Sequence, residues 1–351
     1  METKIITIDS NHIDNNQLMS AVQILHNGGL VAFPTETVYG LGADGLNPEA
    51  SKKIYSAKGR PSDNPLIIHI ADFEALDKLT KDCSTYGRKL AEAFWPGPLT
   101  LILNKSELVP FSTTGGLDTV AVRMPSHPIA FELIRKSGIY IAAPSANVSG
   151  RPSPTKAEHV IEDMNGIIDM IIDGGKVDIG LESTIVDVTG DIPIILRPGF
   201  ITIDMLEQVV GHVEYDKAIL SKEKNPDIKP KAPGMKYKHY APKGELTIYE
   251  GNSDSVIYAI KNAATRKLSE GYKVGIIATD ETIEFYPKDI VKTIGTRKDE
   301  VTIARGLFEI LREFDTDGAE YIFTESFDNN QLGQAIMNRL LKAAGYHIEK
   351  V

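Results

Sequence analysis

The sequence predicts two α/β units in tandem: a mixed α/β sheet over residues 1–210 and a smaller, parallel, Rossmann-like sheet over residues 244–351, joined by a linker over 211–243. Three observations carry that expectation. Short apolar runs alternate with helically spaced stretches throughout, and in the first part several neighbouring strands have connections too short for a crossover helix, which favours a mixed sheet. In the second part strand and helix alternate more regularly, as a parallel sheet requires. Between them, residues 217–243 contain eight lysines against only Glu223 and Asp227, with several prolines, and a block of that composition reads first as a connector.

Residues 30–33 form an apolar strand that Pro34 ends. Residues 48–58 have helical spacing, with Asn47 placed to cap the N-terminus and Pro48 at the first helical position. Residues 66–70 follow as a strand, and 73–95 hold two short helices. Further strands are expected at 99–103, 120–122 and 139–142. A helix over 155–164 opens at Ser153 or Thr155, and strands at 167–172, 184–188 and 192–196 complete the first sheet. Beyond the linker the order is strand 246–249, helix 253–268, strands 274–278 and 290–294, helix 301–314, strand 321–324 and helix 331–344.

At about 150 residues per domain, 351 residues make two or three domains. A 42% hydrophobic fraction supplies apolar surface for real cores, so wholesale disorder is excluded. No apolar run approaches the ~18 residues of a membrane-spanning helix. The opening residues, with Glu2 and Asp9, do not make a secretory signal. Cys83 is the only cysteine, which excludes an internal disulfide and a zinc knuckle and makes a reducing cytoplasm the expected compartment. A net charge of −10 argues against a surface coated with nucleic acid.

Gly40-Leu41-Gly42-Ala43-Asp44-Gly45 matches the dinucleotide fingerprint G-x-G-x-x-G between a strand and a helix. The run from Pro34 to Tyr39 separates it from the strand, so the tight turn is missing and a glycine-rich loop is the better reading. No P-loop is present, so any ATP phosphates must be held another way. Lys58-Gly59-Arg60-Pro61-Ser62-Asp63-Asn64-Pro65 offers two cations and two neutral donors, Ser62 and Asn64, in a loop stiffened by prolines. Arginine grips a phosphate through paired N–H groups and lysine adds a point charge. The plain alternative is a solvated turn.

Other donor-rich segments sit at strand ends. Thr119 and Arg123 bracket one strand, residues 144–154 follow another, Glu182-Ser183-Thr184 precedes a third, and Arg197-Pro198-Gly199 ends a fourth. Each alone is an ordinary turn; together, with Arg60, Arg151 and Arg197 each beside a proline, they suggest a cradle for a polyanion. His69 lies inside an apolar strand, where a satisfied core histidine is the common case. There is no HExxH, no His–Cys cluster and no G-x-S-x-G, so neither protein-bound zinc nor a serine elbow is indicated. The linker carries Ala232-Pro233-Gly234-Met235-Lys236-Tyr237-Lys238-His239-Tyr240-Ala241-Pro242. Such a strap can lay a ring on a base and a charge over a phosphate, or simply tether two domains.

These runs resemble a known family. PTETVYGLGADG, KGRPSDNPL, SANVSGRPSPT, ESTIVD and LRPG, in that order over residues 10–210, are similar to the YrdC-type domain. APGMKYKHYAP and the α/β segment after it resemble the two-domain form of the threonylcarbamoyl-AMP synthases. The resemblance implies a twisted open mixed sheet with a concave positive face, a Rossmann-like second domain, and a linker crossing the mouth of the site. It implies condensation of L-threonine, bicarbonate or CO2, and Mg2+-bound ATP into threonylcarbamoyl-adenylate and pyrophosphate. The product feeds a tRNA threonylcarbamoyl transferase that modifies the adenosine beside the anticodon. With the single cysteine and the lack of a long apolar run, the expectation is a cytoplasmic enzyme with a weak tRNA contact and no membrane partner.

By motif match the resemblance implies residue roles. Lys58, Arg60, Asn64, Thr119, Ser145, Asn147, Ser153 and Arg197 are expected around ATP, with Tyr237 as a lid. Thr35, His69, Arg123, Ala143 and Ser183 are expected around threonine, Arg123 on its carboxylate. No residue is assigned as a covalent nucleophile or a metal ligand; Mg2+ is expected to arrive on ATP. A carbamate and its mixed anhydride with AMP are unstable in water, so such a site works by positioning, water exclusion and charge stabilisation. Three rivals are weaker. An RNA-binding module conflicts with the negative net charge. A carbamoyltransferase of the hydrogenase-maturation kind adds zinc-finger modules that one cysteine cannot build. A dinucleotide oxidoreductase rests on residues 40–45 alone.

Overall fold

The structure is a computed structural model that describes residues 2–220, 239–328 and 330–351. The first part runs β1 (Lys4–Thr7), α1 (Asn15–His26), β2 (Val31–Phe33), β3 (Gly40–Asp44), α2 (Pro48–Lys58), β4 (Ile67–His69), α3 (Glu74–Leu79), α4 (Thr85–Phe94), β5 (Leu99–Asn104), α5 (Phe111–Thr114) and β6 (Thr119–Arg123). It continues with α6 (Pro128–Ser137), β7 (Ile141–Ala142), α7 (Ala157–Met164), β8 (Met170–Asp173), β9 (Thr184–Asp187), β10 (Ile194–Arg197), α8 (Ile203–Val210), β11 (Glu214–Tyr215) and α9 (Lys217–Leu220). Its strands form one 11-stranded sheet in the order β1-β8-β2-β3-β7-β4-β6-β5-β9-β10-β11. Parallel pairs such as β4–β6 and β5–β9 adjoin antiparallel ones such as β5–β6 and β9–β10, so the sheet is mixed, as expected.

Period-two alternation decides which face is covered. On β4, β5, β6 and β9, Ile68, Leu101, Val120, Val122 and Val186 point into a core shared with α3, α4 and α8. Ile67, Ile102, Ala121, Ile185 and Leu196 point the other way into a small cluster. Around β2, β3, β7 and β8 both faces are covered, by α1 and α6 on one side and α2 and α7 on the other.

Two local features shape the site. Residues 40–45 are not the loop expected: Gly40–Asp44 is β3, antiparallel to β2 with Phe33 opposite Gly40 and Val31 opposite Gly42. A Cβ on Gly42 would stand 2.6 Å from the Phe33 ring, so these glycines let an aromatic ring lie across the strand. The second feature is α2, where Asn47 accepts from the N–H groups of Glu49 and Ala50 and Pro48 opens the helix, as expected. Gly59 ends it at φ +61°, a left-handed conformation natural to glycine. Arg60 N–H then bonds Tyr55 O at 2.9 Å, which sets where the Arg60 side chain leaves the helix.

The second part contains β12 (Glu245–Glu250), α10 (Ser253–Ser269), β13 (Val274–Ala278), β14 (Val291–Thr293), α11 (Glu300–Asp317), β15 (Tyr321–Glu325), α12 (Leu332–Ala343) and β16 (Ile348–Lys350). Its five strands pair in parallel, in the order β14-β13-β15-β12-β16. α10 covers one face through Val256, Ile260 and Ala264. α11 and α12 cover the other, α11 through Ile303, Leu307, Leu311 and Phe314 at helical spacing. This is the smaller Rossmann-like layer structure expected, with the edge strand β16 in addition. The core under α11 and α12 also takes in Val38 and Leu181 of the first part and Tyr240. A continuous apolar junction of this kind holds two domains in one arrangement.

Candidate active site

A concave cavity lined by polar and charged side chains opens on the less covered face of the first sheet. Strand register builds its floor. His69 on β4 is aligned with Arg123 on β6, Arg123 with Thr100 on β5, Thr100 with Ile185 on β9, and Ile185 with Arg197 on β10. Aligned residues on neighbouring strands point to the same face. One row therefore carries an imidazole, two guanidinium groups and a hydroxyl. Thr119 starts β6 and Arg123 ends it, so Thr119 lies about 13 Å along the strand from Arg123 and outside the cavity wall. The sequence marks both strand ends as polar but not which end faces the cavity.

Arg60, Arg123 and Arg197 all line the cavity and are buried. Arg60 donates Nη2 to Asn64 Oδ1 (2.6 Å) and Pro65 O (3.0 Å), and Nε to Asn64 O (3.2 Å). Arg197 donates Nε to Ser183 O (3.0 Å) and Nη2 to Ser183 Oγ (3.1 Å); that hydroxyl lies 2.7 Å from Thr100 Oγ1. All these acceptors are neutral. Burial lowers both guanidinium groups to about 10, which leaves them charged at neutral pH.

Arg123 is different. Its Nη2 stands 2.7 Å from Glu36 Oε1, close enough for an ion pair but misaligned for a hydrogen bond. Arg123 Nε and Nη2 and both Glu36 oxygens have no hydrogen-bond partner among the described residues. His69 Nδ1 lies 3.2 Å from Ile67 O. Burial, and then the charge of Arg123, push this imidazole down to about 3, so it is a neutral group at physiological pH.

Several expected residues sit behind the wall rather than in it. Lys58 is buried and donates Nζ to Ser145 O and Asn147 O at 2.5 Å each, fastening α2 to the 144–154 loop. Burial, then Arg60, pull its pKa well down. Asn64 holds Arg60, and Asn147 donates Nδ2 to Val148 O and Arg151 O within its own loop. Ser153 Oγ donates to Glu182 Oε1 at 2.5 Å. In the wall itself Thr35, Arg60, His69 and Arg123 meet Ala143, Ser145, Ser183 and Arg197. Tyr237 lies outside the described residues.

The cavity also contains residues that the sequence reading assigns to neither ATP nor threonine: Thr37, Glu182, His239 and Tyr240. Tyr240, at φ +66°, packs on Phe308 of α11 with ring centroids 5.1 Å apart, and lies 5.5 Å from His239. Ala241 N–H bonds Gly150 O at 2.9 Å, which pins the end of the linker to the first domain. His239 Nε2 is buried with no hydrogen-bond partner among the described residues, and burial, then Arg60, push the pKa of the ring well down. The signal for this pair was the strap itself, whose two tyrosines are three residues apart; only the fold shows that Tyr240 reaches the cavity. Glu182 is buried and accepts from Ser153 and, at 3.0 Å, from Arg339 Nε of α12.

The arrangement can therefore hold a polyanion against Arg60 and Arg197 and a small polar molecule against Arg123 and neutral His69. Among the described residues no group of three or more His, Cys, Asp or Glu could hold a metal ion, and no helix is long and apolar enough to cross a membrane.

A family model described as Telomere recombination matches residues 23–199, and one described as Threonylcarbamoyl-AMP synthase, C-terminal domain matches residues 201–345. The chain is 50% identical over 339 residues to the threonylcarbamoyl-AMP synthase of Pyrococcus abyssi, with 97% of each covered. It is 49% identical over 330 residues to that of Bacillus subtilis, covering 94% of this chain and 93% of the relative. The crystal structure of P. abyssi Sua5 complexed with L-threonine matches with a TM-score of 0.94 at 49% identity, covering 99% of this chain and 100% of that one.

Proposed function

The chain belongs to the threonylcarbamoyl-AMP synthase family, and from that premise we propose how its cavity condenses L-threonine, bicarbonate and ATP into threonylcarbamoyl-AMP and pyrophosphate. Threonine takes the Arg123 end, its carboxylate on the guanidinium atoms that lack hydrogen-bond partners among the described residues. Thr35, His69, Ala143 and Ser183 surround the rest of it. Neutral His69 offers a hydrogen bond without repelling the amine. ATP takes the Arg60–Arg197 side with Ser145, beneath His239 and Tyr240. Lys58, Asn64, Asn147 and Ser153 brace that wall, Thr119 has no part in it, and Tyr237 extends the cover as a lid.

The neutral amine adds to CO2 and sheds a proton, balancing the proton that bicarbonate takes up as it loses water to give CO2, and a carbamate oxygen then attacks the α-phosphorus. The bond from that phosphorus to the bridging oxygen breaks and pyrophosphate leaves. Arg60 and Arg197 meet the charge that builds on the phosphates, and Mg2+ arrives on ATP as part of the substrate. Closing the cavity protects the carbamate from water. The product passes to a tRNA threonylcarbamoyl transferase in the cytoplasm.

One observation carries this reading: three buried guanidinium groups and an uncharged imidazole meet in one cavity, and two of those guanidinium groups are held by neutral acceptors. Mass spectrometry of a reaction with ATP, Mg2+, bicarbonate and threonine tests it. The expected product is threonylcarbamoyl-AMP, lost when any one reactant is left out and diminished when serine replaces threonine. An adenylate that forms without bicarbonate would overturn the scheme.

A further inference from the structure

The second domain brings Arg339 and Lys342 of α12 to the nucleotide side of the cavity, and Arg339 bonds its wall directly. Arg339 of α12 is 0% exposed. It donates Nε to Glu182 Oε2 (3.0 Å), Nη2 to Glu182 O (3.3 Å) and Nη1 to Pro198 O (2.5 Å). These acceptors lie on the two segments that aim Arg197: Ser183, next to Glu182, accepts from its guanidinium, and Pro198 follows it in the chain. Glu182 itself lines the cavity. One guanidinium from the second domain thus clamps both segments and engages the carboxylate whose field acts on the ATP-facing arginine.

We propose that Arg339 is a positioning residue of the synthase: by engaging Glu182 it keeps that carboxylate off Arg197 and leaves the charge of Arg197 free for the ATP phosphates. The inference rests on the reading that the Arg197 side of the cavity holds ATP. A buried carboxylate seeks the nearest cation when its partner is removed. Glu182 has Ser153 on its other oxygen and the field of Arg197 beside it. Without Arg339 it closes on Arg197 and cancels the charge meant for phosphate. The second domain is then part of the catalytic unit and not only an anchor for the linker.

The test uses the full chain and measures KM and kcat for ATP and for threonine by pyrophosphate release, with thermal unfolding as a check on folding. Arg339→Met is expected to raise the KM for ATP about tenfold and to leave the KM for threonine within about twofold. Arg339→Lys, which keeps charge but loses the fork, falls between. Adding Glu182→Gln to Arg339→Met removes the competing carboxylate and restores the KM for ATP to within about threefold of the parent. A purely structural clamp would give no such rescue and would move both KM values together. The proposal is overturned if folded Arg339→Met binds ATP like the parent, or if the double variant is as weak as the single one. Should Arg339→Met not fold, Arg339→Lys with and without Glu182→Gln decides by the same criterion. Arg60→Ala, run alongside, separates two failures. If it too leaves the KM for ATP unchanged, the reading of the cavity falls; if it alone is impaired, only the role of Arg339 does.

Discussion

Arg312 at the domain junction and Arg60 in the cavity are both buried, at 2% and 8% exposure, yet Arg312 is bonded to carboxylates and Arg60 to neutral groups. Arg312 donates Nη2 to Asp163 Oδ2 (2.9 Å) and Nη1 to Asp163 Oδ1 (3.2 Å) and Glu162 Oε2 (3.3 Å), with Pro152 O accepting from Nε and Nη2. Arg151 joins the same two carboxylates. Arg60 is held by an amide and two backbone carbonyls. A guanidinium paired with carboxylates is neutral as a unit and serves to fasten two domains. One held by dipoles keeps its field for a ligand. The partner, not the arginine, tells structure from binding.

The largest effect that could break this distinction is on stability. Arg312→Met takes one of two guanidinium partners from Asp163, whose side chain is fully buried; with Arg151 still on that carboxylate, the cost in urea unfolding is expected to be about 3 kcal/mol. Activity per folded molecule should change much less. A loss under about 1 kcal/mol would mean that the junction pairs contribute no more than exposed ones.

Arg60→Ala should behave in the reverse way. Its charge is disfavoured by burial and then by Arg197, and its bonds go to neutral groups, so removing it relieves desolvation and repulsion while forfeiting those bonds. Unfolding free energy should stay within about 1 kcal/mol of the parent, while kcat/KM for ATP falls about 10²–10³-fold in a pyrophosphate-release assay. Unchanged turnover would remove Arg60 from the nucleotide site.

The two regions also differ in how far the sequence discloses them. Local chemistry was readable: Asn47 and Pro48 start α2 as their types demand, and β13 falls on residues 274–278, as the alternation implies. Of the three proline-flanked arginines expected at a polyanion cradle, Arg60 and Arg197 line the cavity, with the strand-end Arg123, while Arg151 pairs with Glu162 and Asp163 at the domain junction. What was hidden depends on contacts far apart in the chain. The strand at Gly40–Asp44 needs Phe33 lying over Gly42, which no local rule foresees. Glu182 and Arg339 meet across 157 positions, and Asp163 and Arg312 across 149, so neither pair leaves a trace in spacing. Lys58 reads as a phosphate ligand by type but is consumed by two carbonyls of a neighbouring loop.

Arg123 stands between the two extremes, since Glu36 lies 2.7 Å away without a hydrogen bond. Glu36→Gln removes the only carboxylate of that contact and leaves a buried cation. The cost without ligand is expected to be about 1–2 kcal/mol, reduced from a fully enclosed pair because the cavity admits water. Threonine brings a carboxylate of its own, so it should raise the melting temperature of the variant more than that of the parent. Equal threonine-induced shifts in thermal unfolding would place the substrate carboxylate away from Arg123.

The smallest effect concerns protons. His69 beside Arg123 and His159 beside Arg312 are each lowered from 6.5 to about 3, by burial first and the neighbouring arginine second. Between those values the unfolded chain binds a proton that the folded one refuses, so stability falls as pH drops below about 6.5. Each ring contributes about 1 kcal/mol between pH 6 and 5, read as the difference in unfolding free energy between the parent and His69→Gln or His159→Gln. Absent ligand, the two variants should flatten the acid limb alike, and the regions look the same. Threonine separates them. Its carboxylate offsets Arg123 and nothing near Arg312, so saturating threonine should weaken the response due to His69 and leave that of His159 intact. A response at His69 indifferent to threonine would show that the field there comes from burial alone and that the cavity arginine is already neutralised by Glu36.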